Sequence, residues 1–570
     1  MEKMASKIPN VSSWKNSEMT RYYAAIGDDA QNRPWKAVTV IVLIATSGAR
    51  NELLFRRALP SVFAQTHCPD AIVVVDDNDD LNVALDLSQE ITLLARRHSE
   101  LIYLHNKRTR HMSGTGAWNT GIDYIAGKFG DDCYVAILDD DDEWLPNHLA
   151  VCISYIVQGN NQNNSEAVFP FLRRDDCVAA SRFSTGEMNV DSFLIGNPGV
   201  QGSNMFFRVG ALRIIDGFDE TLASCTDRDL MIRFLGKYGR HSVKIAPVVT
   251  VLHHSGNNTV TANKSAKTMG LDKFYRKHIG KFTQTALTAS LSRAKMLFDY
   301  PNEELIQELF RETMIMRKKQ KIVIGVMVHD DSSTIRRCIQ SIFNQRSLVR
   351  SLHVVIQDDD SHDDWQTKIL DWRDSERLTI VHCKIGNVAQ ARTEINRYIV
   401  ESFDNVALVG RLDADDEYAS ETALAEIERR FDIVDGADVI LGGNFLRRGK
   451  LGPKLNRVNI ACRSLLMRQC LLNRLQEMSQ GIEEAELPSC NLFLSPNAIR
   501  PYPDFPSAED HALLVHYLLR PNRYKIAIAE GCMPIVYSLG GSVTTHNRKS
   551  KDYINSRIKL YEEALQHDGQ

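Results

Sequence analysis

Four consecutive aspartates, Asp139 to Asp142, follow directly on the apolar run Val135–Leu138. Like charges side by side repel, so such a cluster needs either open solvent or a cation. A second hydrophobic stretch, VALVGRL from Val406 to Leu412, leads into Asp413-Ala414-Asp415-Asp416. One spacing is common to both: two carboxylates one residue apart, Asp139 with Asp141 and Asp413 with Asp415. Such a pair can reach one hard divalent ion, Mg2+ or Mn2+, which keeps some waters and takes substrate phosphate oxygens into its shell. Asp140 aligns with Ala414, so its charge is dispensable to the pattern and is expected to face solvent. Asp142 matches Asp416 and is expected to orient the turn. An EF-hand calcium loop is excluded. Counting from Asp139, the sixth residue is Trp144 rather than glycine and the twelfth is Ala150 rather than glutamate.

The elements that must position these acids read as buried strands and amphipathic helices. Val38–Asp80 and Ile322–Asp364 both run as apolar strand, polar loop, helix, apolar strand, acidic loop. The apolar runs do not alternate, as expected of parallel strands covered on both faces. The helices carry the 3.6-residue period at Leu54, Ala58, Val62 and at Ile335, Ile339, Ile342. This is one β-α-β unit written twice. Asp76 with Asp77, and Asp358 with Asp359, close the second strand of each copy. Acids at the carboxyl ends of parallel strands lie where open α/β sheets bind ligands, and can accept hydrogen bonds from a base or ribose. Three further matches follow in order at a nearly constant offset: residues 114–125 with 387–399, 135–144 with 406–418, and 224–235 with 506–518.

The expected organisation is an N-terminal extension (1–34), a first α/β domain (35–282), a two-helix linker (283–320), a second α/β domain (321–548) and a C-terminal helix (549–570). A length of 570 residues with 43% hydrophobic and 25% charged residues is ordinary for a multidomain globular chain. A formal net charge of −4 gives no electrostatic reason to expect nucleic acid. No run is long enough to span a bilayer, the N-terminus has no apolar signal core, and the eleven cysteines form no C-x-x-C pair. A cytoplasmic protein is expected. The basic stretch Arg317–Lys321 is the feature that would bring it to the inner face of a membrane as a peripheral contact, against the plainer reading of a solvated run. Neither a P-loop nor a G-x-G-x-x-G follows the first strand, so phosphate chemistry must run through metal and acids.

In order, the residues Asp76–Asp80, Gly116-Ala117-Trp118-Asn119, Asp139–Asp142, Gly217-Phe218-Asp219-Glu220 and Thr226-Asp227 resemble the motif series of a family 2 glycosyltransferase. The second copy repeats the series with Asp358–Ser361, Ala391-Arg392, Asp413–Asp416 and Glu509-Asp510. The resemblance covers most of the chain. It implies an α/β architecture of two tandem GT-A domains (Rossmann-like, nucleotide-diphospho-sugar transferases) joined by a helical linker. It further implies that Asp76, Asp77, Asn119, Asp140, Asp358, Asp359 and Arg392 contact a nucleotide-sugar donor, a UDP-sugar being favoured. By the same resemblance Asp139, Asp141, Asp413 and Asp415 hold Mn2+ or Mg2+. Asp227 and Asp510 are the implied general bases, ionised at neutral pH at an ordinary carboxyl pKa of about 4, and transfer proceeds with inversion.

Two departures stand out. Trp118 replaces the usual arginine in the first copy, and RPYPDFPSAED replaces the usual turn before the second base. His253 and His254 are candidate metal ligands or diphosphate contacts, the alternative being loop histidines bonded to backbone; His546 is a weaker candidate. Trp144 and Tyr418 are expected as wall or core, with sugar stacking as the alternative. The functional expectation is a bifunctional transferase acting on a glycan, lipid-linked or protein acceptor in surface polysaccharide or glycoconjugate synthesis. One active copy beside a degenerate scaffold is the alternative. A sugar nucleotidyltransferase lacks its glycine-rich basic loop here, and a non-catalytic carbohydrate binder would have lost the metal acids or a base.

Overall fold

The computed structural model describes residues 38–110, 113–157, 165–175, 177, 180–254, 264–442, 446–448, 455–457, 465–466, 468–482, 487, 489–529, 532, 534–537 and 551–567. The N-terminal extension and His546 lie outside them. The chain divides into two compact units: Met1–Thr185 with Gly199–Glu220 and Ser242–Gly256, and Gly186–Pro198 with Thr221–His241 and Asn257–Gln570. Residues 186–198 and 221–241, from the first sequence copy, thus group with the second unit.

In the first unit the strands are β1 (Val40–Thr46), β2 (Ala71–Asp76), β3 (Leu101–His105), β4 (Tyr134–Asp139), β5 (Glu143–Trp144), β6 (Ala167–Arg174), β7 (Ala180–Ser181), β8 (Phe206–Arg208) and β9 (Val243–His253). They form one sheet in the order β3-β2-β1-β4-β8-β6-β9-β5, with β7 paired to β6. β1, β2 and β4 are parallel and buried almost throughout, which explains their unbroken apolar sequence. Their register sets the site. Thr46 pairs with Asp76 and Ala45 with Asp139, so the acids emerge on either side of the β1 carboxyl end. The expected helix face, Leu54, Ala58 and Val62, is buried against this sheet.

The second unit repeats the plan. β10 (Lys321–Val328), β11 (Ser351–Asp359), β12 (Leu378–Cys383) and β13 (Val406–Arg411) are parallel, and β14 (Glu417–Tyr418) follows the acidic turn. β15 (Val439–Gly442), β18 (Leu492–Leu494) and β19 (Ile526–Ala529) complete a seven-stranded sheet, β12-β11-β10-β13-β18-β15-β19. β16 (Leu446–Arg448), β17 (Leu455–Arg457) and β20 (Pro534–Tyr537) join β14 in a four-stranded sheet. Val328 pairs with Asp358 and Gly325 with Arg411, which returns the acidic turn to the same edge. Ile335, Ile339 and Ile342 are buried, as their period requires.

The linker forms two helices, Gln284–Phe298 and Glu303–Lys318. Thr283 caps the first by accepting the Ala286 N–H, and Asp299, at φ +51°, ends it in the left-handed conformation. Arg317 of the basic stretch pairs with Asp432 at 2.8 Å. The helix Lys551–Gln566 forms the tail. Among the described residues no helix is long and apolar enough to cross a membrane.

Candidate active site

In the first copy, Asp76 is 0% exposed and its carboxylate is engaged within the fold. It accepts from the Asn78 backbone and side-chain N–H groups at 2.8 and 2.6 Å and from the Tyr103 hydroxyl at 2.7 Å. Asp77, at the strand end, accepts from Asn106 at 2.5 Å, and its own N–H donates to Thr46 O. Asn119, expected at the donor, holds the turn at 217–220. Its Nδ2 donates to Phe218 O and Glu220 Oε1, each at 2.8 Å, and its Oδ1 accepts the Phe218 N–H at 2.9 Å. Gly217 has φ +58°, and a Cβ there would fall 2.3 Å from Asn119 Oδ1, so only glycine fits this turn. Trp118 is buried, with its ring centroid 6.4 Å from that of Phe218.

The four aspartates separate by environment. Ser203 Oγ accepts the Asp139 N–H at 3.1 Å, and Gly202 lies so close that a Cβ would sit 2.8 Å from Asp139 Oδ2. Asp140 does not face solvent: it is 1% exposed, with Arg50 Nη1 at 3.4 Å. The corrected reading has a simple cause. Its counterpart Ala414 is also buried, so the position is an inward one that tolerates either residue. Burial pushes the Asp140 carboxyl up to about 7 in spite of Arg50. Burial and the adjacent Asp142 also raise Asp141, which Arg50 approaches to 3.6 Å. Asp142, fully buried, ties the turn to the end of β9. It accepts from Ser203 Oγ and the His254 N–H and contacts His253 Nδ1 at 2.9 Å. Burial opposes charge on His253, but Asp142 and Asp139 outweigh it and raise its pKa. His254 is flanked by Glu143 at 3.2 Å and Asp175 at 3.3 Å. The β5–β9 pairing, Glu143 with Leu252 and Trp144 with Val251, brings both histidines to the acidic turn. Trp144 is core: it stacks on His148 and donates to Ser203 O at 2.7 Å.

Asp227 opens the helix Thr226–Tyr238, which belongs to the second unit. The same unit holds the second copy's residues. Asp358 accepts the Ser361 N–H at 3.1 Å and contacts His382 Nδ1 at 2.9 Å. Asp359 accepts the Ile385 and Gly386 N–H groups. Asp413 lies 3.4 Å from Arg392 Nη2 and 3.3 Å from Arg411 Nε. Arg392 also pairs with Glu509. Burial, with Asp413 and Asp331 close by, pushes the Asp415 carboxyl up to about 6. Asp510 accepts from Ser489 Oγ at 2.8 Å and lies 3.9 Å from Arg411 Nη2. Burial would raise its carboxyl, but His511, Arg392 and Arg411 outweigh burial and hold it well below the carboxylate range, ionised as a base must be. Tyr418 is buried core.

Sequence reasoning missed Arg411, Ser203, Ser489 and Arg50. Arg411 was visible as the one charge inside an apolar strand.

Among the described residues no three His, Cys, Asp or Glu side chains form a metal cage. A divalent ion here needs substrate oxygens and water to complete its shell. The first copy fits such an ion: Asp139 and Asp141 are partly buried acids, and Gly202 leaves room beside Asp139. The second copy differs in degree: one guanidinium, Arg50, approaches Asp141 in the first copy, with 45% of its side chain exposed, whereas two buried guanidinium groups face Asp413 in the second.

Residues 41–214 and 323–475 match the glycosyl transferase family 2. An uncharacterized glycosyltransferase of Rickettsia bellii is 22% identical over 353 residues, 59% of this chain and 48% of its own length, so the chain spans about half of that relative. The putative colanic acid biosynthesis glycosyl transferase WcaA of Escherichia coli is 23% identical over 279 residues, 47% of this chain and 91% of that protein. The succinoglycan biosynthesis protein ExoW of Rhizobium meliloti is 38% identical over 96 residues, 17% of this chain and 27% of that protein. The two family segments cover more than half of the sequence, one in each copy, and each copy builds its own mixed α/β sheet: the chain belongs to glycosyl transferase family 2 and carries two tandem GT-A-type domains.

Proposed function

We propose that this glycosyltransferase is bifunctional and inverting, with residues 35–282 and 321–548 each transferring a sugar from a nucleotide-sugar donor to a hydroxyl acceptor. The observation that carries this reading is the doubled edge of acids. Asp76 and Asp139 flank β1, and Asp358 and the Asp413 turn flank β10, in matching register. Ligands of open α/β sheets bind outside such strand ends. The donor set is Asp76, Asp77, Asn119 and Asp140 in one copy and Asp358, Asp359 and Arg392 in the other, with Asp76, Asn119 and Asp358 acting through the loops they hold and the buried Asp140 through Arg50. Asp139 and Asp141 would hold Mn2+ or Mg2+, with His253 orienting Asp142 beside them. When bound, the ion offsets charge growing on the departing diphosphate. Asp227 and Asp510 take the acceptor hydroxyl proton as the oxygen attacks the anomeric carbon.

A glycan or lipid-linked acceptor in polysaccharide synthesis is favoured by the kinship with colanic acid and succinoglycan proteins. A protein acceptor is the second choice.

The test is a donor screen. Purified protein is mixed with UDP-, GDP- and dTDP-sugars and Mn2+ or Mg2+, and nucleotide release is followed. Release from at least one donor in the presence of an acceptor is expected. Silence across the panel, with no binding, would reject the reading. A chain in which Asp227→Asn alone removes every transfer while Asp510→Asn changes nothing has one transferase and one scaffold.

A further inference from the structure

We infer that the second copy holds the donor diphosphate through the guanidinium groups of Arg392 and Arg411, and not through a divalent ion on Asp413. The inference rests on the nucleotide-sugar reading above. Arg411 stands on β13 where the first copy has Ile137, and Arg392 stands where the first copy has Trp118. The two charges therefore belong to the second copy alone. Each oxygen of Asp413 faces one of them: Oδ2 lies 3.4 Å from Arg392 Nη2, and Oδ1 lies 3.3 Å from Arg411 Nε. A divalent ion on that carboxylate would stand against two cations fixed in buried positions, 8% and 7% exposed.

The arginines also have donors to offer. Nε and Nη2 of Arg411 and Nε of Arg392 are buried and make no hydrogen bond among the described residues, although Arg411 Nε keeps its 3.3 Å ion pair with Asp413 and Nη2 lies 3.9 Å from Asp510. Burying unsatisfied donors is costly. A planar fork of N–H groups matches phosphate oxygens in geometry and charge. The forks are held in place by their other contacts. Arg411 Nη1 donates to the Tyr502 hydroxyl at 3.1 Å, and the Tyr502 ring lies 5.7 Å from one guanidinium and 5.9 Å from the other. Glu509 binds Arg392 Nη1, while Asp413 faces its Nη2.

The chemistry balances without a metal at this position. The acceptor oxygen bonds to the anomeric carbon as the bond to the diphosphate oxygen breaks. The diphosphate keeps that electron pair, and its new charge meets two guanidiniums, the same positive charge as one divalent ion. The hydroxyl proton passes to Asp510.

The test uses the full chain with the first copy's acids replaced, Asp139→Asn with Asp141→Asn. UDP, GDP and dTDP are titrated by calorimetry in EDTA and again in Mn2+. The expected result is binding of one nucleotide in EDTA, with a Kd within about threefold of its value in Mn2+. Arg411→Ile, the first copy's residue, weakens it by about tenfold or more. Binding that requires Mn2+ overturns the inference, as does an unchanged Kd in Arg411→Ile. Where circular dichroism finds that variant unfolded, the EDTA arm with Arg411 intact and the variant Arg392→Gln decide. Mn2+-dependent binding at both copies of the unaltered chain sinks this inference and leaves the transferase reading standing. Failure of all three nucleotides under every condition sinks both.

Discussion

The two copies keep their acids in the same backbone register and surround them differently. In the first, the turn from Asp139 to Asp142 is held by Ser203, Arg50 and His253, and two of its carboxyls are raised by burial. In the second, Arg392 and Arg411 reach Asp413 directly, the register places Cys490 where the first copy has Ser203, and the neighbouring Ser489 binds Asp510. Burial raises a carboxyl in each copy, Asp140 and Asp141 beside Arg50 in the first and Asp415 in the second, but only in the second do two buried arginines face the leading acid, Asp413. Duplication therefore preserved where the acids stand, while what neutralises them changed.

The largest effect should come from the candidate bases. Asp227→Asn and Asp510→Asn should each lower transfer by their own copy by about 10²- to 10⁴-fold. Product analysis with each donor checks this, and equal loss of both products from either variant would break the comparison by making the copies one site.

Next comes acid stability. Asp229, in the first copy's helix Thr226–Tyr238, corresponds to Ala512 in the second. It is fully buried between His278 at 2.8 Å, Lys277 at 2.7 Å and Arg233 at 2.7 Å. Burial would raise its carboxyl, but His278, Arg233 and Lys277 outweigh burial and hold it below its ordinary value. A depressed folded pKa stabilises fully above the unfolded value of about 4 and less and less as pH falls below it. Asp229→Asn should cost about 3–5 kcal/mol at neutral pH. Thermal melts from pH 7 to pH 3 should also show the variant less acid-sensitive than the parent. An unchanged pH profile would remove this charge from the account.

Chelation should divide the copies. EDTA should lower first-copy transfer by about 10²-fold, the scale of Lewis-acid assistance to a leaving group. Second-copy transfer, assayed in the Asp227→Asn chain, should change by less than about threefold. Parallel loss would erase the difference.

The smallest effect tests what the copies share. Gln65 donates to Ser61 O and Leu145 O and accepts the Leu149 N–H. Gln345 donates to Ser341 O and Ser420 O and accepts the Leu424 N–H. Alanine at either should cost about 1–3 kcal/mol by denaturant unfolding. A cost confined to one copy would mean that the clamp is not equivalent.

Much of this plan is legible in the sequence. Unbroken apolar runs mark parallel strands, and the ordered repeat of acids marks two sheets with the same edge. Trp144 and Tyr418 read as core and are core. Asp140 reads as solvated and is buried; its pairing with a small apolar residue, Ala414, is itself a sign of an inward position. Asn119 reads as a ligand contact because its motif places it near the acids. Its engagement with the turn at Gly217 depends on residues about a hundred positions away. Arg411 is a charge in a strand whose partner cannot be chosen until the strand's register is known.

The sequence by itself determined the α/β class, the duplication and which acids end which strands, because hydrophobic periodicity and strand length are local properties. Tertiary structure decided what each acid touches. It turned Asp142 toward His253, closed Asp76 under Asn78 and Tyr103, and set Arg392 and Arg411 against Asp413. The charge state of a carboxyl depends on burial and on neighbours brought from distant strands and helices, and packing alone assembles those.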